Sequence, residues 1–372
     1  MPDLRAARRL LIIRLSSIGD VVHALPVSAA LAEAFPHLEL TWVVEEMSAD
    51  IVMGNPFLKD VIVVPRSRWK RGRWTSLSVW REYGAFLADL RRREFDVTLD
   101  LQGYAKSGIM AIATGARQRY GWWRLRDGAN LVSRALPSLP GSRHRVDRFL
   151  DVVRGLGASP STVRFPFHIP DAARARVSGL LEAGGIGAGA PYIVINPAVG
   201  SETRRWGASR FAECVHRLGK EFGLRTVLIG SKKDIGICEE VANTSQVATL
   251  PEACRTLNLA GQTDLKELAA VLERCALHIC GDTGSGHIAA ALGRPVVALY
   301  GPTDPAQAGP WAQSQNVLSH RELCRPGCGV RKCVAVCTPG EAAACLMAVT
   351  PQAVLKKVED VLYGSAAQQN SE

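Results

Sequence analysis

No apolar run in this chain approaches the roughly 20 residues that a membrane-spanning helix needs. The first apolar stretch, Leu10–Ile13, is closed by Arg14, too soon for the core of a signal peptide, and reads as a buried strand. These absences predict a cytoplasmic protein whose ten cysteines stay mostly reduced. Missing too is a G-x-G-x-x-G after the first strand with an acidic residue about 20 positions further on, which argues against an NAD-dependent oxidoreductase. The first half is poor in acid: residues 1–170 hold 25 Lys/Arg against 16 Asp/Glu, whereas residues 171–372 hold 20 against 19. A basic half beside a neutral one points to an anionic partner, whether nucleic acid, a membrane surface, or a phosphorylated or carboxylated substrate.

What is present is enough for two domains, 372 residues of which 47% are hydrophobic. Apolar strand candidates fall at Leu10–Leu15, Leu40–Val44, Val61–Val64 and Val97–Leu101, then at Tyr192–Ile195, Thr226–Ile229, Leu277–Cys280 and Val296–Tyr300. Amphipathic helices alternate with them, the pattern of parallel α/β sheets. Pro166–Pro170 and the glycine-rich 184–189 place a boundary near 168–190, giving domains 1–170 and 171–350. A last helix, about 351–363, starts at Pro351 with Thr350 as N-cap, and 364–372 reads as a frayed tail.

The most informative stretch is DTGSGHIAAALGRPVVALYGPTDP, residues 282–305. It reads as a strand, a polar glycine-rich turn, a small-residue helix from Ile288 to Leu292, and a second strand. A turn at the carboxyl end of a strand in an open α/β sheet is where ligands sit, and free N–H groups beside a hydroxyl suit a phosphate. A capped helix in an ordinary α/β domain is the plain alternative. Near the other end, Arg14-Leu15-Ser16-Ser17-Ile18-Gly19-Asp20 leads from the first strand into a helix. Asp20 is there either as an N-cap or as a general base. A helix N-terminus stabilises a carboxylate and weakens it as a base, but removing a hydroxyl proton during attack needs only partial basicity.

Residues 66–74 read as a loop with five cations and two tryptophans, Trp69 and Trp74. Such interleaving suits single-stranded nucleic acid or an anionic glycolipid at a membrane surface. Cys324, Cys328, Cys333, Cys337 and Cys345 could supply thiolates to zinc or iron, but not in the common C-x2-C spacing. Structural thiols are preferred and no metal ligand is assigned. Cys214, Cys238, Cys254, Cys275 and Cys280 sit on apolar patterns and read as core.

LLIIRLSSIGDVVHALP (10–26), TWVVEE (41–46), DLQGYAKSG (100–108), the Trp206 region and DTGSGH with YGPTDP occur in that order. Together they resemble glycosyltransferase family 9, the ADP-heptose:lipopolysaccharide heptosyltransferases, with SSIGDVVH and WVVEE closest to its heptosyltransferase I branch. The resemblance implies a GT-B fold, two facing Rossmann-like domains with a cleft between them, the first taking the acceptor and the second the nucleotide sugar. It implies inverting transfer of heptose from ADP-heptose to the Kdo-containing inner core, with Asp20 as base and no cofactor. On the donor side it points to Arg204, Arg205, Asp234, Thr263, Asp282, Thr283, Gly284 and His287. Arg204 stands where the family usually has lysine, and Asp234 where it has a ribose-binding glutamate. Asp282 is expected to fix the turn or bind a sugar hydroxyl, since a carboxylate repels diphosphate. On the acceptor side the resemblance points to Arg14, Ser17, Gly19, Arg68, Lys70, Arg71, Gln102 and Lys106, with Lys106 on an acceptor carboxylate. It favours the glycolipid over nucleic acid, and peripheral contact with the cytoplasmic face of the inner membrane. Two alternatives stand beside this reading: heptosyltransferase II, III or protein heptosyltransferase activity, and a nucleotide-sugar- or nucleic-acid-binding protein without turnover.

Overall fold

A computed structural model describes residues 4–71, 76–201, 204–324, 328 and 343–369. It divides into two compact units, Met1–His168 and Ile169–Glu372. The first is built on six strands: β1 (Arg9–Ile13), β2 (Glu39–Glu45), β3 (Asp60–Val64), β4 (Val97–Asp100), β5 (Gln118–Gly121) and β6 (Arg134–Ala135). Their order is β3-β2-β1-β4-β5-β6, and every pairing is parallel. The second unit repeats the plan with β7 (Tyr192–Asn196), β8 (Arg225–Leu228), β9 (Leu257–Asn258), β10 (Leu277–Gly281), β11 (Val296–Tyr300) and β12 (Val317–Ser319), ordered β12-β11-β10-β7-β8-β9. Both are the doubly wound order of a dinucleotide-binding fold, a mixed α/β architecture in each half.

The eight strands expected from apolar runs are all present. Parallel strands covered on both faces read as continuous hydrophobic stretches, and Leu10–Ile13 and Tyr192–Ile195 are fully buried. The four short strands β5, β6, β9 and β12 carry no such run and add an edge to each sheet. Helix Ile18–Ala34 is buried on nearly every side from Gly19 to Leu31 and packs on helix Arg145–Gly155. In the second unit, helix Ala208–Phe222 presents Phe211, Cys214, Val215 and Leu218 to the sheet, the i, i+3, i+4, i+7 stripe of a surface helix. Helix Asp171–Ala183 opens this unit.

Three expectations change. The terminal helix runs from Pro351 to Gln369 rather than ending near 363, and Thr350 caps it by accepting from the Ala353 N–H at 3.2 Å. The stretch expected as a loop from residue 66 is helical over Arg66–Arg71, with Trp69 buried against Tyr83 and Phe86. Residues 72–75, Trp74 among them, lie outside the described residues. Finally, the helix after β10 begins at Gly284, not Ile288. Gly286 makes this possible, because a Cβ there would stand 2.8 Å from Cys280 Sγ.

The order in which strands are added reverses at one place in each sheet, between β1 and β4 in the first unit and between β7 and β10 in the second. Crevices outside the carboxyl ends of such strands bind ligands in open α/β sheets. The segments that leave these four strands are Arg14–Asp20, Leu101–Lys106, Pro197–Arg204 and Asp282–His287, which hold most of the candidate residues.

Candidate active site

Asp20 is the third residue of helix Ile18–Ala34, so it is not the N-cap; that position belongs to Ser17. Its carboxylate is held from two sides. Arg14 Nη2 meets Oδ2 at 2.5 Å, and Arg145 Nη1 donates to Oδ1. Ser17 Oγ adds a longer bond to Oδ2, 3.2 Å. Arg14 is fixed: it is 4% exposed, donates Nη1 to Leu101 O at 2.6 Å, and lies over the Phe149 ring. Burial pulls its guanidinium below its usual pKa; Asp20 opposes that, Arg145 adds to it, and Asp100 opposes it again.

The turn after β4 supports this arrangement. Gln102 Oε1 accepts from the Leu15 and Ser16 N–H groups at 3.0 and 3.2 Å, tying the two strand ends together. Asp100 is fully buried and accepts from Gln102 N, Gly103 N and Ser107 Oγ at 2.8–2.9 Å. Burial dominates over these bonds and raises its carboxyl to about 6. Gly103 has φ +75°, and a Cβ there would lie 2.5 Å from Trp122 Nε1, so the turn requires glycine. Together these segments line a pocket of about 270 Å³ with Arg14, Ser16, Ser17, Asp20, Gln102, Tyr104, Trp122, Arg124, Arg126 and Arg145. Four guanidinium groups share it with one carboxylate. Gly19 is buried in the helix beneath.

The other acceptor candidates lie elsewhere in the unit. Lys106 reaches Glu45 Oε1 at 2.7 Å, and Arg66 takes Oε2 of the same carboxylate at 2.8 Å. Burial acts to raise Glu45, but the bonds from Lys106 and Arg66 outweigh it and hold its pKa below the usual range. Lys106 is thus engaged by a carboxylate of the protein itself. Arg68 pairs with Glu82, while Lys70 and Arg71 are exposed on the short helix.

In the second unit, Thr283 is the N-cap of helix Gly284–Ala291 but its hydroxyl makes no capping bond. The first-turn N–H groups of a helix have no intrahelical partner. Gly284 and Thr283 are half-buried, so a hydroxyl and N–H groups converge where β10 ends. Arg204 Nη1 donates to Asp282 O and Oδ2 at 3.1 and 2.9 Å, and Thr303 Oγ1 donates to the same Oδ2 at 2.6 Å. Asp282 therefore ties the turn together. Arg204 Nε is buried with no hydrogen-bond partner among the described residues, a donor left over beside the turn. Arg205, by contrast, is exposed. Beneath the turn Ser285 Oγ joins Asn196 Nδ2 and His278 Nε2, both at 3.0 Å. Burial lowers His278 to about 4, so it is neutral at pH 7. His287 is buried in the same helix. Asp234 spends Oδ2 on Ser231 N and Oγ at 2.8 and 2.6 Å, a local cap. Thr263 is half-buried beside Asp264, the N-cap of helix Leu265–Arg274.

Sequence reasoning overlooked Arg124, Arg126, Arg145, Asn196 and His278. The arginines belong to segments distant in the chain from Asp20, and only the fold brings them to it.

Cys214, Cys238, Cys254, Cys275 and Cys280 are buried. Cys324, Cys328 and Cys345 come together: burial first, then the neighbouring Cys345 and Cys328 sulfurs, push the Cys324 thiol up to about 12. No group of three or more His, Cys, Asp or Glu is placed to hold a metal among the described residues. Cys333 and Cys337 lie outside them.

The chain thus joins two doubly wound units, one with a basic pocket around a carboxylate and the other with a helix that starts behind a hydroxyl-bearing turn. The model of glycosyltransferase family 9 (heptosyltransferase) matches residues 83–337. Lipopolysaccharide heptosyltransferase 1 of Pseudomonas aeruginosa is 31% identical over 325 residues, 86% of this chain and 85% of the relative. That of Escherichia coli K12 is 28% identical over 313 residues, 83% and 92%. Among solved structures, E. coli heptosyltransferase WaaC with ADP aligns at TM-score 0.70 and 26% identity, covering 95% of this chain and 99% of that one. A family 9 glycosyl transferase from Veillonella parvula gives 0.79 at 23% identity, covering 96% and 98%. The chain belongs to glycosyltransferase family 9, and it is a glycosyltransferase of GT-B type.

Proposed function

We propose that this enzyme transfers heptose from ADP-heptose to the Kdo-containing inner core of lipopolysaccharide, with inversion at the anomeric carbon. The observation that carries the reading is the Asp20 carboxylate inside a pocket of four arginines. An acceptor bearing carboxylates and phosphates would be drawn to that pocket. One of its hydroxyls gives its proton to Asp20 as the oxygen bonds to the anomeric carbon. The bond from that carbon to the diphosphate oxygen breaks, and its electron pair leaves on ADP. Developing charge on the diphosphate would be met by Arg204, the Thr283 hydroxyl and the N–H groups at Gly284. Arginine in place of lysine keeps the charge and can bind two oxygens at once. Asp234 and Thr263 are assigned to ribose and adenine, and His287 to the phosphate side.

The acceptor is embedded in a membrane, whereas no helix among the described residues is long and apolar enough to cross one. We assign contact with the cytoplasmic face of the inner membrane to the first unit. Helix Leu77–Arg92 exposes Leu77 (67%) and Trp80 (53%) alongside the exposed cations Arg66, Arg68, Lys70, Arg71 and Arg81. An amphipathic ring and an aliphatic side chain among cations suit an anionic interface, with about 1 kcal/mol from each basic residue near its surface.

Two measurements test these statements. Vesicles carrying Kdo-lipid A, or core already bearing heptose, are incubated with ADP-heptose and the lipids weighed by mass spectrometry. Gain of one heptose on the Kdo acceptor is expected. Transfer only to the heptosylated core would move the enzyme to the second-step activity. Anionic vesicles should retain the enzyme at low salt and release it at high salt, and a Leu77→Ser/Trp80→Ser variant should bind them more weakly. Equal binding by that variant would place the membrane contact elsewhere.

A further inference from the structure

The carboxylate assigned as base has both oxygens occupied by guanidinium groups, Oδ2 by Arg14 and Oδ1 by Arg145. A carboxylate so compensated is a weak proton acceptor, and an incoming hydroxyl finds no free oxygen. The two arginines differ in freedom. Arg14 has a side chain 5% exposed and anchored at Leu101 O and Phe149. Arg145 has a side chain 32% exposed, starts its helix, and directs its guanidinium to Asp20. It also faces like charge: Arg126, Arg148 and Arg145 all act on Arg124, whose own pKa is lowered first by burial and then by these three. With four guanidinium groups against the one carboxylate of Asp20, the pocket is short of negative charge that a ligand can supply.

We propose that Arg145 is a positioning and specificity-determining residue that exchanges partners when the acceptor binds. In the free enzyme it clamps Asp20. An acceptor carboxylate lodged among Arg124, Arg126 and Arg145 draws the guanidinium away, and Oδ1 is freed to take the proton of the attacking hydroxyl. The base becomes competent only when an acidic sugar occupies the pocket, so a neutral acceptor of the same shape binds but turns over slowly. This rests on the reading of Asp20 as the base. The titratable and charged groups that line the pocket with Asp20 are Arg14 after β1, Tyr104 after β4, Arg124 and Arg126 after β5, and Arg145; Asp100 acts on Arg14, His23 lies on the helix of Asp20 and His144 caps that of Arg145. His23 and His144 touch edge to face, with ring centroids 5.1 Å apart.

The test measures kcat and KM for the wild type, Arg145→Gln and Arg145→Lys. It uses a water-soluble Kdo-terminated acceptor and its carboxamide. The wild type should lose at least about tenfold in kcat on the carboxamide, the equivalent of one pKa unit at the base. In Arg145→Gln that difference in kcat should vanish, although both acceptors bind less well, and the acid limb of kcat/KM should move up by about one unit. Arg145→Lys should restore the discrimination. Discrimination in kcat that persists in Arg145→Gln, or an acid limb that stays in place, would overturn the exchange. Failure of the base itself is separate: it would show as turnover retained in Asp20→Asn, whatever Arg145 does. Should Arg145→Gln not fold, loss of discrimination in a folded Arg145→Lys overturns the proposal by itself.

Discussion

Asp20→Asn should lose heptosyl transfer by about 10²–10⁴-fold, the usual contribution of a positioned general base, while ADP binding is unchanged. The asparagine is the better variant for a structural reason. Arg14 is 4% exposed and Asp20 is the carboxylate it meets at 2.5 Å. Alanine would leave that buried guanidinium without its ion-pair partner, at a cost of roughly 3 kcal/mol. Asparagine removes the charge and the basicity but keeps one oxygen to accept from Arg14; its NH2 then faces Arg145, whose more exposed side chain can turn to solvent, so the loss of stability is smaller than for alanine. Asp20→Ala should therefore be inactive and also melt earlier, whereas Asp20→Asn should be inactive and melt near the wild type. Kinetics paired with thermal denaturation separate the two effects. Full turnover in Asp20→Asn would remove the base assignment; loss of ADP binding in a folded Asp20→Asn would show that the residue serves the donor instead.

The second large effect is expected at Arg204. A hydrogen bond to a charged group contributes about 1.5–3 kcal/mol, so Arg204→Ala should weaken ADP binding about 10- to 100-fold by calorimetry. The loss has two parts. The diphosphate loses a cation, and Asp282, which accepts from Arg204 at 2.9 Å, is left uncompensated beside it. Changing Asp282 to Asn in the Arg204→Ala background should recover part of the affinity by removing that repulsion. An unchanged ADP affinity in Arg204→Ala would transfer the role to the exposed Arg205. The uncharged hydrogen-bonded network beneath, with Asn196 and neutral His278 bonded to Ser285, keeps the turn in place in either variant.

The strands and the two-unit plan were legible because parallel strands buried on both faces must be apolar throughout, as in Leu10–Ile13 and Val296–Tyr300. The short outer strands were not. Gln118–Gly121 and Arg134–Ala135 are short, partly polar and half exposed, and their pairing is set by the sheet already present rather than by their own pattern. The 66–71 segment misled for a related reason. Its cations resemble a solvated loop, yet Trp69 packs on Tyr83 and Phe86 and fixes a helical turn. At the site, Asp20, Gln102, Arg204 and Asp282 could be named because each lies just after a strand in a recognisable motif. Their partners could not. Arg145 comes from a helix 125 positions away in the chain and carries no motif. Glu45, which occupies Lys106, lies in the WVVEE element, but the pairing depends on β2 and β4 flanking β1 so that their carboxyl ends lie at the same end of the sheet. Chemistry near strand ends is local in sequence, whereas the charge balance around it is a property of the fold.

One carboxylate acting once on the acceptor hydroxyl is a single displacement, and this leaves a mark on the product that no binding study can imitate. The anomeric configuration of the transferred heptose, read by NMR on the isolated glycolipid and compared with that of the ADP-heptose supplied, tests it directly. The account predicts inversion; a product of retained configuration would contradict it.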